Sequence, residues 1–120
     1  MLIVDDRAAM RARIRELVTE VIPGVVFGAA ETAQDACDLV KGVSWKLALV
    51  DLQLPDRSGL AVIHAILATR AATRILAMSA LPPESYEPLA LKAGAHGFLA
   101  KEHLAKQLPA LLREHREWWR

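Results

Sequence analysis

The chain has 120 residues, of which 53% are hydrophobic, and it carries a formal net charge of +1 at pH 7. This length predicts one domain, spanning residues 1–120, that can bury a core without the help of disulfides or structural metal ions. The balanced charge excludes the strongly basic surface of an autonomous nucleic-acid-binding domain, and the apolar content excludes a disordered chain. No apolar run approaches membrane-spanning length and no signal peptide is evident, so we expect a cytoplasmic protein without membrane contact.

The first quarter of the chain predicts a strand followed by a helix. The apolar run 2–4 ends at Asp5-Asp6, which is typical of a buried strand with charged residues at its carboxyl end. The helix that follows stops at Pro23-Gly24, because both residues interrupt regular helices. Its apolar stripe consists of Met10, Ile14, Leu17, Val18 and Val21.

A second strand and helix are predicted next. Residues 25–29 form the strand, and a capping box at Thr32-Ala33-Gln34-Asp35 opens a helix that Gly42 closes. The single cysteine, Cys37, lies on the apolar stripe of this helix. We therefore expect it to be a buried core residue rather than a reactive thiol.

The segment from Leu47 to Gly59 contains the residue on which the functional prediction depends. Its first part, 47–50, is typical of a strand buried on both faces, and this strand places Asp51 at its carboxyl end. Pro55 lacks an N–H and Gly59 permits a tight turn, so the rest of the segment predicts a loop above that acid. A third helix is marked by Leu60, Ile63, Ile66 and Leu67.

The fourth strand and helix follow the same pattern. Residues 75–78 predict a strand that ends at Ser79-Ala80, and Pro82-Pro83 begins a helix through about Leu91, with Gly94 as its stop signal. This helix has the weakest apolar stripe in the chain. We expect it to be the most mobile element.

The last predicted elements are a short strand, 97–100, and a final helix. The strand leads directly to Lys101. Pro109 removes a backbone hydrogen bond from the helix interior, so its regular part is predicted to begin only near Leu108. The apolar positions of this helix are Leu104, Leu108, Leu111 and Leu112.

Alternating strands and helices predict an α/β fold, a doubly wound parallel sheet of five strands with helices on both faces. Functional sites of such sheets lie outside the carboxyl ends of the strands. The polar residues that follow the predicted strands should therefore share one edge, and these are Asp5, Asp6, Asp51, Ser79 and Lys101.

These side chains indicate phosphoryl chemistry. Three carboxylates in one crevice repel each other, so a cation is needed if all are to stay ionised, and Mg²⁺ prefers such oxygen ligands. Lys101 can pair with Asp51 and then with a phosphoryl oxygen, while Ser79 offers a hydroxyl donor. The set is suited to stabilising a phosphoryl group on Asp51 as nucleophile.

Over essentially the whole chain, these residues resemble the receiver domain of bacterial two-component response regulators. The segment from Asp51 to Gly59 resembles the family's D-x-x-x-P-x-x-x-G loop. The other matching positions are the acidic pair Asp5-Asp6, the phosphoacceptor Asp51, the hydroxyl position Ser79, the lysine Lys101 and the switch aromatic Phe98.

The resemblance implies the flavodoxin-like strand order 2-1-3-4-5 and phosphorylation of Asp51 by the phosphohistidine of a histidine kinase or phosphotransfer protein. It implies self-phosphorylation and slow autodephosphorylation rather than enzymatic turnover of other substrates. It also implies Mg²⁺ held by Asp6, Asp51 and the backbone carbonyl of Gln53, with Asp5 acting through the metal's water shell. The added charge would draw Ser79 inward.

The implied output of this switch is a changed surface on the fourth helix, fifth strand and fifth helix, with Phe98 filling the space that the serine vacates. Glu102 follows Lys101 where the family often has proline, and residues 94–101 resemble the branch joined to helix-turn-helix domains. DNA would then be contacted only through an output domain absent from these 120 residues, so the chain is either stand-alone or a fragment. Trp118-Trp119 either covers the base of the last helix, forms a homodimer contact or marks a linker.

Other interpretations stay open. The Asp5-Asp6 pair is also typical of helix capping, and the four histidines (His64, His96, His103 and His115) share no metal-ligand spacing. A phosphatase of the haloacid dehalogenase type usually needs a second acid where Gln53 stands, which disfavours that function. The remaining alternative is a phosphorylation-independent protein-interaction module.

Overall fold

The computed structural model describes residues 1–69 and 71–120 and contains a five-stranded sheet in the order β2-β1-β3-β4-β5. All neighbouring strands in this sheet are parallel. The predicted doubly wound fold and its strand order are therefore confirmed. The strands are β1 (Leu2–Val4), β2 (Gly28–Ala30), β3 (Leu47–Asp51), β4 (Arg74–Ser79) and β5 (Gly97–Ala100).

Helices cover both faces of the sheet, because each parallel connection crosses from one strand end to the other. Residues of α1 and α5 belong to one apolar layer, and residues of α2, α3 and α4 belong to the layer on the opposite face. The helices are α1 (Ala8–Val21), α2 (Ala33–Gly42), α3 (Leu60–Ala68), α4 (Pro83–Ala93) and α5 (Leu104–Glu114).

The helix boundaries agree with the capping signals in the sequence. The side chain of Thr32 accepts a hydrogen bond from the Asp35 N–H at 3.0 Å, so the predicted cap of α2 is confirmed. Gly94 ends α4 with φ of 115°, a left-handed conformation that glycine adopts without strain. Cys37 is buried in α2, as predicted.

Two predicted boundaries were wrong. The second strand comprises Gly28–Ala30 rather than 25–29, because its parallel partner β1 begins only at Leu2. The last helix begins at Leu104 rather than near Leu108, although Pro109 lies inside it. A single missing N–H does not stop this helix, because residues 104, 108 and 112 all bury their side chains in the core.

The fourth helix is held more weakly than the others. Its buried residue is Ala90, whereas Leu89 and Leu91 are 49% and 46% exposed.

In α3 the predicted helix is confirmed, but Leu67 is 47% exposed and Val62 takes its place in the core. The C-terminal end of α3 therefore contributes less to the core than its apolar sequence suggests.

The tryptophans at the end of the chain cover the base of α5, which was one of the predicted alternatives. Trp118 is buried in the layer formed by α1 and α5 and stacks on His115, with ring centroids 4.0 Å apart. Trp119 donates its indole N–H to the Leu112 carbonyl at 2.9 Å. Within the two described ranges, no helix has both the length and the apolar character that crossing a bilayer requires.

Candidate functional site

Polar residues from four strands meet at the carboxyl edge of the sheet. Asp5 follows β1, Asp51 ends β3, Ser79 ends β4 and Lys101 follows β5. Asp5, Asp51 and Ser79 are 0%, 2% and 1% exposed, respectively. Burial of this many polar groups is unusual for a fold core and is typical of a site with a function.

The ammonium group of Lys101 bridges two carboxylates. Its Nζ lies 2.7 Å from Oδ2 of Asp51 and 2.8 Å from Oδ2 of Asp5. The contact with Asp51 is a charge-assisted hydrogen bond, which is stronger than a neutral one, and the contact with Asp5 is an ion pair. The lysine side chain is only 11% exposed. Two acids and one base leave this group with an excess negative charge, to which Asp6 adds.

The pKa values of Asp51 and Lys101 are both raised, for different reasons. Burial raises the pKa of Asp51, and the neighbouring Asp5 charge acts in the same direction, against the hydrogen bond from Lys101. Burial alone would lower the pKa of Lys101, but its contacts with the two carboxylates outweigh that effect and raise it. The lysine therefore stays cationic at neutral pH, whereas a further cation would favour ionisation of Asp51.

Asp5, Asp6 and Asp51 form the candidate metal-binding group. Each offers one carboxylate oxygen, and these oxygens all lie within 4.8 Å of one another. Carboxylate oxygens in an open, negatively charged cavity fit a hard divalent cation such as Mg²⁺. The second oxygen of Asp5 accepts the Arg7 N–H at 2.8 Å, and Arg7, not either acid, is the N-cap residue of α1.

The loop from Leu52 to Gly59 connects β3 to α3 and lies beside this group. The Gly59 N–H donates to the Leu52 carbonyl at 3.0 Å, and Gln53 and Ser58 form an antiparallel bridge. A Cβ at Gly59 would lie 2.1 Å from the backbone oxygen of Asp51, a distance that no side chain can occupy. Glycine is therefore required here because the loop folds back onto the strand end.

Ser79 is held by a hydrogen bond that the sequence analysis missed. Its hydroxyl donates to Oε1 of Gln53 at 2.7 Å and accepts the Leu81 N–H at 2.9 Å. The Gln53 N–H in turn donates to Oδ1 of Asp51 at 2.9 Å. The side chain of Gln53 thus connects the serine to the loop, whereas the sequence pointed only to its backbone carbonyl.

Comparison with known proteins identifies the family. The family model described as the response regulator receiver domain matches residues 1–113. The chain belongs to this family. The resemblance stated from the sequence is confirmed, and the chain contains a receiver domain, which is a signalling domain.

Individual relatives agree with this assignment. The receiver domain is 28% identical to the nitrate/nitrite response regulator protein NarL of Escherichia coli (strain K12), over 85% of this chain and 47% of that protein. It is 29% identical to the chemotaxis protein CheY of Thermotoga maritima, over 84% of this chain and 83% of that protein. The chain spans about half the length of the first curated relatives that it matches.

A solved structure supports the same conclusion at the level of the fold. A two-component response regulator of the LuxR family from Aurantimonas sp. SI85-9A1 is 30% identical, with a TM-score of 0.77, over 97% of this chain and 80% of that chain. The branch suggested by residues 94–101 of this receiver domain is thus represented among its relatives.

Phe98 lies apart from the charged group. It is half-buried in β5, packs against the layer formed by α2, α3 and α4, and lines a shallow cavity with Leu99, Gln107 and Leu111. The aromatic side chain is therefore neither fully inside nor fully outside. Its role in switching remains a prediction.

Proposed function

We propose that this receiver domain accepts a phosphoryl group on Asp51 from the phosphohistidine of a histidine kinase or phosphotransfer protein. The ion pair of Asp51 with Lys101, 2.7 Å long and backed by Asp5, is the observation that supports it most. A carboxylate oxygen of Asp51 attacks phosphorus and forms a P–O bond. The N–P bond breaks, and its electron pair stays on the imidazole nitrogen of the donor.

The site has room for this reaction. Asp51 opens onto a cavity of about 270 Å³, lined by Asp6, Arg7, Asp51, Gln53, Ala80, Leu81 and Lys101. A phosphoryl group placed there would accept a hydrogen bond from Lys101, and Arg7 adds a second positive charge at the rim.

Mg²⁺ is the cation that we propose for this site. Asp6, Asp51 and the backbone carbonyl of Gln53 would hold it, with Asp5 acting through its water shell, and when bound it would neutralise charge on the transferred group. The donor oxygens of the three acids lie within 4.8 Å of one another, which is close enough for this purpose.

Phosphorylation of Asp51 is tested by mass spectrometry. Incubation with Mg²⁺ and acetyl phosphate should add the mass of one phosphoryl group, and the Asp51→Asn variant should add none. Asp38→Asn, which removes an exposed carboxylate of α2, is the matched control and should behave as the unaltered chain does. If the unaltered chain gains no mass, or if Asp51→Asn still does, this proposal is wrong and a phosphorylation-independent interaction module becomes the better hypothesis.

The contact between Ser79 and Gln53 has a consequence for the switch. The single proton of the Ser79 hydroxyl is already donated to Oε1 of Gln53, so the serine cannot donate it to a phosphoryl oxygen at the same time. We propose that Gln53 acts as a latch that must release Ser79 on phosphorylation. The released serine would then move towards Asp51.

The latch is tested with beryllium fluoride, a phosphoryl mimic, in the presence of Mg²⁺. Gln53→Ala keeps the backbone carbonyl and frees the serine proton, so it should bind the mimic about threefold to tenfold more tightly, the effect of one hydrogen bond. In the Ser79→Ala background, Gln53→Ala should not tighten binding of the mimic, because there is no serine proton left to free. Equal gains in both backgrounds, or no gain in either, would contradict the latch.

The proposed output surface comprises α4, β5 and α5. Leu89 and Leu91 of α4 are exposed and Phe98 of β5 is half-buried, so a small shift of α4 would change the apolar surface that a partner meets. The regulator NarL and the LuxR-family response regulator are similar to this chain over 47% and 80% of their own lengths, respectively. We therefore propose that any DNA contact occurs through an output domain outside these residues. Self-association through the same surface is a further proposal.

A further inference from the structure

The loop between β3 and α3 is attached at its tip to another part of the protein. Asp56 lies at this tip, and its Oδ1 accepts the Ala33 N–H at 2.8 Å while its Oδ2 accepts the Gln34 N–H at 3.0 Å. These are the first two N–H groups of α2, which have no acceptor within their own helix. Both oxygens of one carboxylate are therefore bound by a helix that begins 23 residues earlier in the chain.

Helix capping alone does not explain this contact. The N-terminus of α2 already has a local cap, because Thr32 accepts the Asp35 N–H. A second contact joins the same two segments, since a guanidinium N–H of Arg57 donates to Oε1 of Gln34 at 3.1 Å. The pKa of Asp56 is lowered, first by the hydrogen bond from Ala33, which agrees with a carboxylate that is held ionised at this position.

The loop is thus fixed at two levels. Its base is closed by the hydrogen bond from Gly59 to Leu52 and by the bridge between Gln53 and Ser58. Its tip is fixed by Asp56 on α2. Gln53, which contacts both Asp51 and Ser79, belongs to the base and is joined to the tip by Leu54 and Pro55.

We propose that Asp56 is a positioning residue, which holds the loop against α2 and thereby sets the position of Gln53 in the site. This inference rests on the proposed function, because Gln53 is expected to supply a metal ligand through its carbonyl and the latch through its side chain. Asp56 itself touches neither the acidic group nor the proposed phosphoryl position. Its removal should therefore leave the reacting groups in place and loosen only the loop that presents Gln53.

The test compares Asp56→Ala with Thr32→Ala in the full 120-residue chain. Both variants remove an acceptor from the N-terminus of α2, but only the first detaches the loop, so Thr32→Ala controls for weakening of the helix. Asp56→Asn retains one carbonyl oxygen and should rescue the effect in part. The probes are amide hydrogen exchange at Gln53 and Gly59 without metal, and the affinity for Mg²⁺ alone by calorimetry.

We expect Asp56→Ala to speed exchange at both amides and to weaken Mg²⁺ binding about tenfold, the lower end of the effect of residues that orient metal ligands. Thr32→Ala should change neither quantity. Unchanged exchange in Asp56→Ala, or equal losses in Asp56→Ala and Thr32→Ala, would overturn the proposal. Failure of the unaltered chain to bind Mg²⁺ would count against the proposed function itself, and the exchange comparison would then decide the role of Asp56.

Discussion

The two edges of the sheet differ in which side chains are buried and which are exposed. At the carboxyl edge, charged side chains are buried: Asp5 and Asp51 are almost inaccessible and share one lysine. At the amino edge, apolar side chains are exposed, since Val26 and Val43 are 79% and 49% accessible. The buried charges at the carboxyl edge reduce stability unless they are paired. The exposed apolar side chains at the amino edge have no reactive group.

This contrast separates residues that serve the fold from residues that serve the site. The amino edge is held by backbone and ring contacts, such as the Thr73 hydroxyl on the Trp45 carbonyl and the Ile75 N–H on a ring nitrogen of His96. The carboxyl edge is held by an ion pair and a folded-back loop. Substitutions at the carboxyl edge should change stability and phosphorylation together, whereas those at the amino edge should change stability alone.

The largest effect is expected at Gly59. Gly59→Ala places a Cβ 2.1 Å from the Asp51 backbone oxygen, and because backbone cannot move away as a flexible side chain can, it should lower the free energy of unfolding by about 3 kcal/mol. Urea unfolding measures this loss. Gly42→Ala, at the amino edge, has no atom within 4 Å of the new Cβ and should be neutral or slightly stabilising. Similar losses in the two variants would contradict the contrast between the edges.

A somewhat smaller effect is expected at Lys101. Lys101→Met leaves Asp5 and Asp51 without their cation, and because the cavity is partly open to water, the loss should be about 2 kcal/mol rather than the larger value for a fully buried pair. Added Mg²⁺ should restore part of it, as should acidification, which neutralises the unpaired carboxylates. Denaturant unfolding with and without Mg²⁺ tests this, with Lys106→Met on the exposed face of α5 as control. A loss that Mg²⁺ does not reduce would argue against a cation site.

The smallest effect is expected at the amino edge, in the pH dependence caused by His96. Its Nδ1 accepts the Ile75 N–H at 3.0 Å, and its pKa is lowered from the ordinary 6.5, first by burial and then by the charge of Arg74. The neutral ring stabilises the fold above the unfolded-state pKa, and this contribution is lost as the pH falls through the lower folded-state pKa.

Between pH 7 and pH 5, the unaltered chain should therefore lose slightly more stability than His96→Asn, by at most about 0.5 kcal/mol, because His96 is exposed and water screens its charge. The side-chain oxygen of the introduced asparagine can accept the same N–H without titrating. Urea unfolding at several pH values gives the comparison. His64→Asn, at an exposed position of α3, should keep the pH dependence of the unaltered chain. Phosphorylation should not change in either variant. An altered phosphorylation rate in His96→Asn would contradict the expectation that substitutions at the amino edge change stability alone.

Much of the architecture could be predicted because it depends on local patterns. Apolar runs and helical spacing located helices α1 to α5 and the five strands, β2 only in part, and the rule that the carboxyl ends of parallel strands share an edge brought Asp5, Asp51 and Lys101 together. The errors arose where contacts with distant parts of the chain determine the structure. Strand β2 begins only at Gly28 because β1 offers no strand residue to pair with the preceding ones. Leu67 is exposed because its side of α3 faces solvent. The spacing of apolar residues along the sequence predicts neither the start of β2 nor the exposure of Leu67.

The contacts around the site were less predictable. The bond from Ser79 to the Gln53 side chain and the attachment of Asp56 to α2 join residues 26 and 23 positions apart, through particular side-chain conformations. The sequence offered one usable signal, since polar residues in a short loop beside a nucleophile are candidates for contacts with it. Which partners they choose depends on distances that only the folded chain defines.

The weak attachment of α4 has an energetic consequence. A ligand or modification can displace an element only by the difference in its free energy of interaction with the two positions. With the alanine methyl of Ala90 as its buried anchor, α4 gives up little apolar contact when it shifts. We therefore expect the proposed rearrangement of the Ser79 hydrogen bond, at the end of β4, to displace α4 more readily than the better anchored helices, and we expect a bound partner to displace it in the same way.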